Sequence, residues 1–85
     1  MEIFISSKFD RRYKKLPNEI KLKAEEKEKI LKLNPFDPRL KTHKLHGKDK
    51  NHWAYSVDQN YRIKFLFAEN NTILYLDIGR HNEVY

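Results

Sequence analysis

The 85-residue chain has no cysteine, only two glycines and three prolines, a single tryptophan and no long uninterrupted apolar run. Each shortage removes a class of structure or chemistry. Without cysteine there is neither a disulfide nor a thiolate metal site, and this usage fits a reducing cytoplasm. Gly47 and Gly79 are too far apart to build a glycine-rich phosphate loop, so any phosphate must be held by side chains. No segment has the length of a membrane span, and "MEIFIS" is too short, with an acidic second residue, for a secretory signal. Ser6, Ser7 and Ser56 stand in no nucleophile-elbow context, and Asp58 and Asp77 have no evident carboxylate partner. There are four histidines but no HExxH pattern. His43 and His46 lie three apart on an expected strand, where alternation would send them to opposite faces. Neither a metal nor another cofactor is expected.

What the chain has in excess is positive charge. Eighteen Lys and Arg face twelve Asp and Glu, a formal +6. Such a balance favours polyanionic partners, with nucleic acid ahead of an anionic membrane surface.

The apolar pattern predicts one domain over residues 1–85, opening with a short strand in "EIFIS". Ser6 or Ser7 can cap the helix that follows, on which Phe9, Tyr13 and Leu16 form one stripe. Pro17 ends that helix or opens a second in "NEIKLKAEEKEKILKL". There Ile20, Ala24, Lys27 and Leu31 share a face, and Leu22 and Leu33 lie elsewhere. "NPFDPR" breaks the helix, and spacing then changes to alternation. "LKTHKLH", "WAYSVDQ", "YRIKFLF" and "TILYLDI" read as strands joined by short turns, hence antiparallel hairpins. The expected fold is α+β, with two N-terminal helices on a small curved antiparallel sheet. Ile63, Phe65, Phe67, Leu74, Leu76 and Ile78 are expected towards the helices, with Tyr75 and Asp77 on the other face.

In "YRIKFLF" the same alternation puts Arg62 and Lys64 on the face away from the helices. An exposed sheet face is ordinarily polar, but here it has basic company. "HKLHGKDKNHW" contributes His43, Lys44, His46, Lys48 and Lys50, and Arg80 and His81 follow the last strand. Trp53, Tyr55 and Tyr61 can stack on bases or, more plainly, pack in the core. A metal-free set of histidine, arginine, lysine and tyrosine suits RNA, which carries its own nucleophile in the 2′-OH. The protein need only remove that proton, stabilise the pentacovalent phosphate and protonate the leaving 5′-oxygen. Arginine stays charged and grips phosphate bidentately, whereas histidine titrates near neutrality.

"FDRRYKKLP", "NPFDPRLKTHKLHGKDKNHWAYSVDQNYRIKFLF" and "LYLDIGRHNEVY", in that order from Phe9 to Tyr85, resemble the RelE/ParE superfamily of bacterial toxins. The resemblance implies a single toxin-like domain neutralised by a cognate antitoxin. It also implies, for the RelE-like branch, a metal-independent endoribonuclease that cleaves mRNA in the ribosomal A site through a 2′,3′-cyclic phosphate. ParE-like members poison DNA gyrase instead, and a non-catalytic nucleic-acid-binding module is a further alternative. Matched by motif, Arg62 corresponds to the transition-state arginine, His81 to the arginine-or-histidine position and Tyr85 to the C-terminal aromatic. His43, Lys44, His46, Lys48, Lys50 and Arg80 are the substrate-binding candidates.

Overall fold

The computed structural model describes residues 1–47 and 51–85. Within them the chain forms β1 (Glu2–Ile5), α1 (Ser7–Lys14) and α2 (Asn18–Leu33), then a 3₁₀ turn at Pro38–Leu40. Next come β2 (His43–Lys44), β3 (Trp53–Ser56), β4 (Tyr61–Ala68), β5 (Thr72–Arg80) and a short α3 (His81–Val84). The strands form one sheet in the order β1-β5-β4-β3-β2. β2 to β5 are the expected antiparallel meander, whereas β1 joins the edge of β5 in parallel, so the sheet is mixed.

Ser6 makes the change from strand to helix. Its N–H donates to the Tyr75 carbonyl at 2.9 Å, extending the pairing of β1 with β5. Its Oγ accepts from the Phe9 N–H at 3.0 Å and donates to the Leu76 carbonyl at 2.9 Å. One hydroxyl thus caps α1 and fills an edge carbonyl of β5 where β1 stops. Replacing Ser6 with Ala should lower stability by about 1–2 kcal/mol. A urea midpoint that falls with an unchanged m-value would register this loss.

Pro17 precedes α2 directly, and Ile20, Ala24 and Leu31 are buried while Lys27 is half-buried at the edge of the stripe. Leu22 and Leu33 stay 63% and 88% exposed. Under the helices lie Tyr55, Ile63, Phe65, Ile73, Tyr75 and Ile78. The Tyr55 and Tyr75 hydroxyls, 2.8 Å apart, satisfy each other in this core, and burial pushes both phenols well above their ordinary range.

Three expectations change. The first is the facing of β5. Ile63 pairs with Ile78, Lys64 with Asp77, but Phe65 with Tyr75, so Leu76 is an extra residue. That bulge reverses the alternation. Ile73 and Tyr75 are buried beside Ile78, and Leu74 and Leu76, expected in the core, are only half-buried. Second, Phe67 lies on the expected face opposite Ile73, but beyond the cover of the helices and 39% exposed. There it packs with Phe36 and Trp53 at 5.8 and 5.3 Å. Third, the strand expected over "LKTHKLH" shrinks to two residues, because Asp37 caps a 3₁₀ turn that buries Leu40.

Candidate active site

Arg62 owes its position to the turn before it. The Asp58 carboxylate accepts from the N–H groups of Asn60 and Tyr61, both at 2.8 Å, closing a tight link between β3 and β4. Burial pushes the Asp58 carboxyl up, but these N–H groups and Lys23 outweigh it and leave it below the usual range. Arg62 Nη1 then donates to the carbonyls of Asp58, Tyr61 and Gln59 at 2.7, 3.1 and 3.2 Å. Three carbonyl dipoles hold a guanidinium that has no carboxylate partner among the described residues.

Arg62 pairs with Gly79 and Tyr61 with Arg80, so the start of β4 lies beside the end of β5. The His81 N–H continues the ladder to the Asn60 carbonyl at 3.1 Å. From there α3 brings Tyr85 to Arg62 and to His43 of β2, 42 residues earlier in the chain. The Tyr85 hydroxyl lies 2.8 Å from His43 Nε2, and the His81 ring packs edge-on against Tyr85 at 4.3 Å. His43 Nδ1 is 3.0 Å from the Lys41 carbonyl. A carbonyl only accepts, so Nδ1 carries a proton, and whenever the ring is neutral Nε2 is the acceptor for the Tyr85 hydroxyl. Burial raises the Tyr85 phenol, and the positive charge of the nearby Arg62 guanidinium moderates the rise. Tyr85 therefore keeps its proton at neutral pH.

Arg62, His81 and Tyr85 thus come together, and His43 joins them. His46 and Lys44 are exposed and border, with His43 and Tyr85, a cleft of about 390 Å³. The expectation that His43 and His46 face apart does not hold, since β2 ends at Lys44 and alternation stops there. Arg80 lies apart from Arg62, its guanidinium 5.5 Å above the Tyr61 ring on the other side of the sheet. Lys48 and Lys50 lie outside the described residues. No group of three or more His, Asp or Glu able to hold a metal occurs among the described residues.

Sequence reasoning missed the support beneath this cluster. Asp77, 2% exposed, meets both Arg12 and Lys8 of α1 at 3.4 Å. Arg12 also reaches Glu83 of α3 at 3.2 Å, and Glu83 accepts from the Arg80 N–H at 2.7 Å, capping α3. α1 is thereby tied to the helix that carries His81 and Tyr85. Gly79 leaves the passage open, because a Cβ there would stand 2.5 Å from Arg12 Nη2 and 3.1 Å from Glu83 Oε1. Gly79→Ala should displace Arg12 and weaken its hold on the buried Asp77, at a cost of roughly 1–3 kcal/mol. The expected readout is a lower melting temperature together with faster amide exchange at Tyr85. The sequence signal was the glycine itself, in a strand interior where close approach is the usual reason for one.

Comparison of the whole fold with solved structures finds bacterial toxins. The chain matches the YoeB/ParE toxin from Agrobacterium tumefaciens with a TM-score of 0.81 at 14% identity, over 95% of this chain and 99% of that one. It matches YafQ from E. coli with a TM-score of 0.81 at 16% identity, over 99% and 97%. A match to the toxin–antitoxin complex RelBE2 from Mycobacterium tuberculosis has a TM-score of 0.79 at 17% identity, over 94% and 96%. No protein-family model matches the sequence, and no curated protein does. The fold is that of the RelE-like toxins.

Proposed function

We propose that this chain is the toxin of a toxin–antitoxin pair and acts as a metal-independent endoribonuclease on mRNA at the ribosome. The observation that carries the reading is the meeting of Arg62 of β4, His43 of β2, and His81 and Tyr85 of the α3 segment, three separate elements. Arg62 supplies fixed positive charge where the phosphate becomes pentacovalent. Two imidazoles flank one phenol, an arrangement suited to acid–base work. One imidazole, neutral, takes the 2′-OH proton as the O2′–P bond forms. The other, as imidazolium, gives a proton to the 5′-oxygen as the P–O5′ bond breaks, leaving a 2′,3′-cyclic phosphate. Tyr85, which keeps its proton, orients the pair and offers a ring to the adjoining base.

Lys44 and His46 border the cleft beside this cluster and would steady the RNA backbone. The partner is an antitoxin, a role supported by the likeness to the toxin–antitoxin complex RelBE2. Mapping RNA ends after expression of the chain in growing cells tests the reading. Cyclic-phosphate termini at positions engaged by ribosomes are expected. Intact mRNA together with gyrase-dependent double-strand breaks in DNA would replace it with a ParE-like activity.

A further inference from the structure

A second recess opens on the other side of Arg62. It measures about 540 Å³ and runs between α2 and the end of β3, along the edge that β2 leaves unpaired. Its floor is apolar, with Leu22 63% exposed and Val57 behind it. Its rim is predominantly cationic, and its one acidic member besides Asp58 is Glu26, which pairs with Lys29 at 3.4 Å. Lys23 is paired with Asp58 at 3.4 Å and Arg39 with Asp37 at 2.9 Å, but Lys27, Lys41 and Arg62 have no carboxylate partner among the described residues. Lys27 rests instead on the Arg39 carbonyl at 3.3 Å.

Lys41 links this groove to the catalytic cluster. It holds a left-handed backbone, φ 53°, a conformation unfavourable for a non-glycine residue. In that conformation its carbonyl receives His43 Nδ1 while its side chain borders the groove. A strand with its reacting phosphate at Arg62 would therefore enter the recess directly. The size suits one nucleoside, the floor suits a base, and the unpaired ammonium groups suit phosphates.

We infer that this groove is a subsite for the nucleotide next to the scissile phosphate of single-stranded RNA, with its base against Leu22 and Val57 and its phosphates at Lys27 and Lys41. The inference rests on the nuclease reading above, yet its test does not need cleavage. The probe is a short single-stranded 2′-deoxy oligonucleotide, which has no 2′-OH and cannot be cut. Its affinity is measured by fluorescence anisotropy across a salt series. Lys27→Gln combined with Lys41→Gln should weaken binding on the order of tenfold and reduce the slope of log Kd against log salt by about 1.4, or about 0.7 per lost phosphate contact. Leu22→Ser should weaken binding with the slope unchanged, since it removes apolar contact and no charge. Both positions of the double variant lie outside the core, so its melting temperature should match the parent protein.

An affinity and slope equal to the parent's in the double variant overturn the inference, even if RNA cleavage is intact. Loss of slope in a chain that cuts no RNA leaves the groove as a nucleic-acid site and removes the nuclease reading instead. Groove-dependent binding of an acidic peptide, with oligonucleotide binding unaffected, overturns it in favour of a protein occupant.

Discussion

Arg62→Ala should leave a folded protein whose RNA cleavage is slower by on the order of a hundredfold or more, the usual effect of removing a fixed donor from a developing anion. The residue is half-buried, and its guanidinium rests on turn carbonyls, so the core is untouched. Lysine at this position should recover little. A single ammonium cannot both hold the carbonyls of Asp58 and Gln59 and meet Tyr85 and a phosphate as the planar fork does. His81→Ala should lose a proton-transfer contribution of comparable size, roughly a hundredfold or more. Single-turnover cleavage on purified ribosomes, with the variants' melting temperatures alongside, measures both effects. Wild-type rates in folded Arg62 and His81 variants would end the catalytic reading. Undiminished growth arrest by both variants with no RNA cut would point to gyrase.

Phe65→Ala should cost about 3–5 kcal/mol, because the ring is fully buried and its removal loses both apolar burial and packing contacts. Phe65 lies edge-on to Tyr55 at 5.8 Å and to Phe67 at 5.2 Å, and it pairs across the strands with Trp53 and Tyr75. A domain of 85 residues has only about 5–15 kcal/mol in total, so the variant should lose a large share of its stability and melt well below the parent. Circular dichroism during heating reads this directly. A melting curve like the parent's would contradict the burial of this face. Leu74→Ala offers an internal contrast. The periodic reading placed Leu74 in the core, but it is half-buried and should cost clearly less than Phe65.

Local chemistry was legible in the sequence. Ser6 caps α1 because a hydroxyl before a helical stripe has few other uses, and Pro17 opens α2 because a helix start needs no N–H there. The alternation in β4 survived folding, with Ile63 and Phe65 buried and Arg62 turned the other way. Even the approach of Arg62 to the His81 segment was readable, since an antiparallel hairpin places the start of one strand beside the end of the next.

What escaped the sequence depends on where the chain goes after the local rule ends. The extra residue at Leu76 leaves no mark in an apolar run, yet it moved Ile73 and Tyr75 into the core and Leu74 out of it. α3 has four residues, fewer than a helical period needs to show, and it forms because Glu83 caps it and Val84 is buried. His43 belongs to the cluster only because that helix carries Tyr85 back across the sheet to β2. Periodicity and capping act over a few residues and are written in the order of side chains. The ties of Arg12 to Asp77 and Glu83 and the meeting of His43 with Tyr85 arise between residues 42 to 71 apart, and the bulge between two paired strands. Those were decided by packing in three dimensions, where one extra residue or one missing Cβ selects which groups can touch.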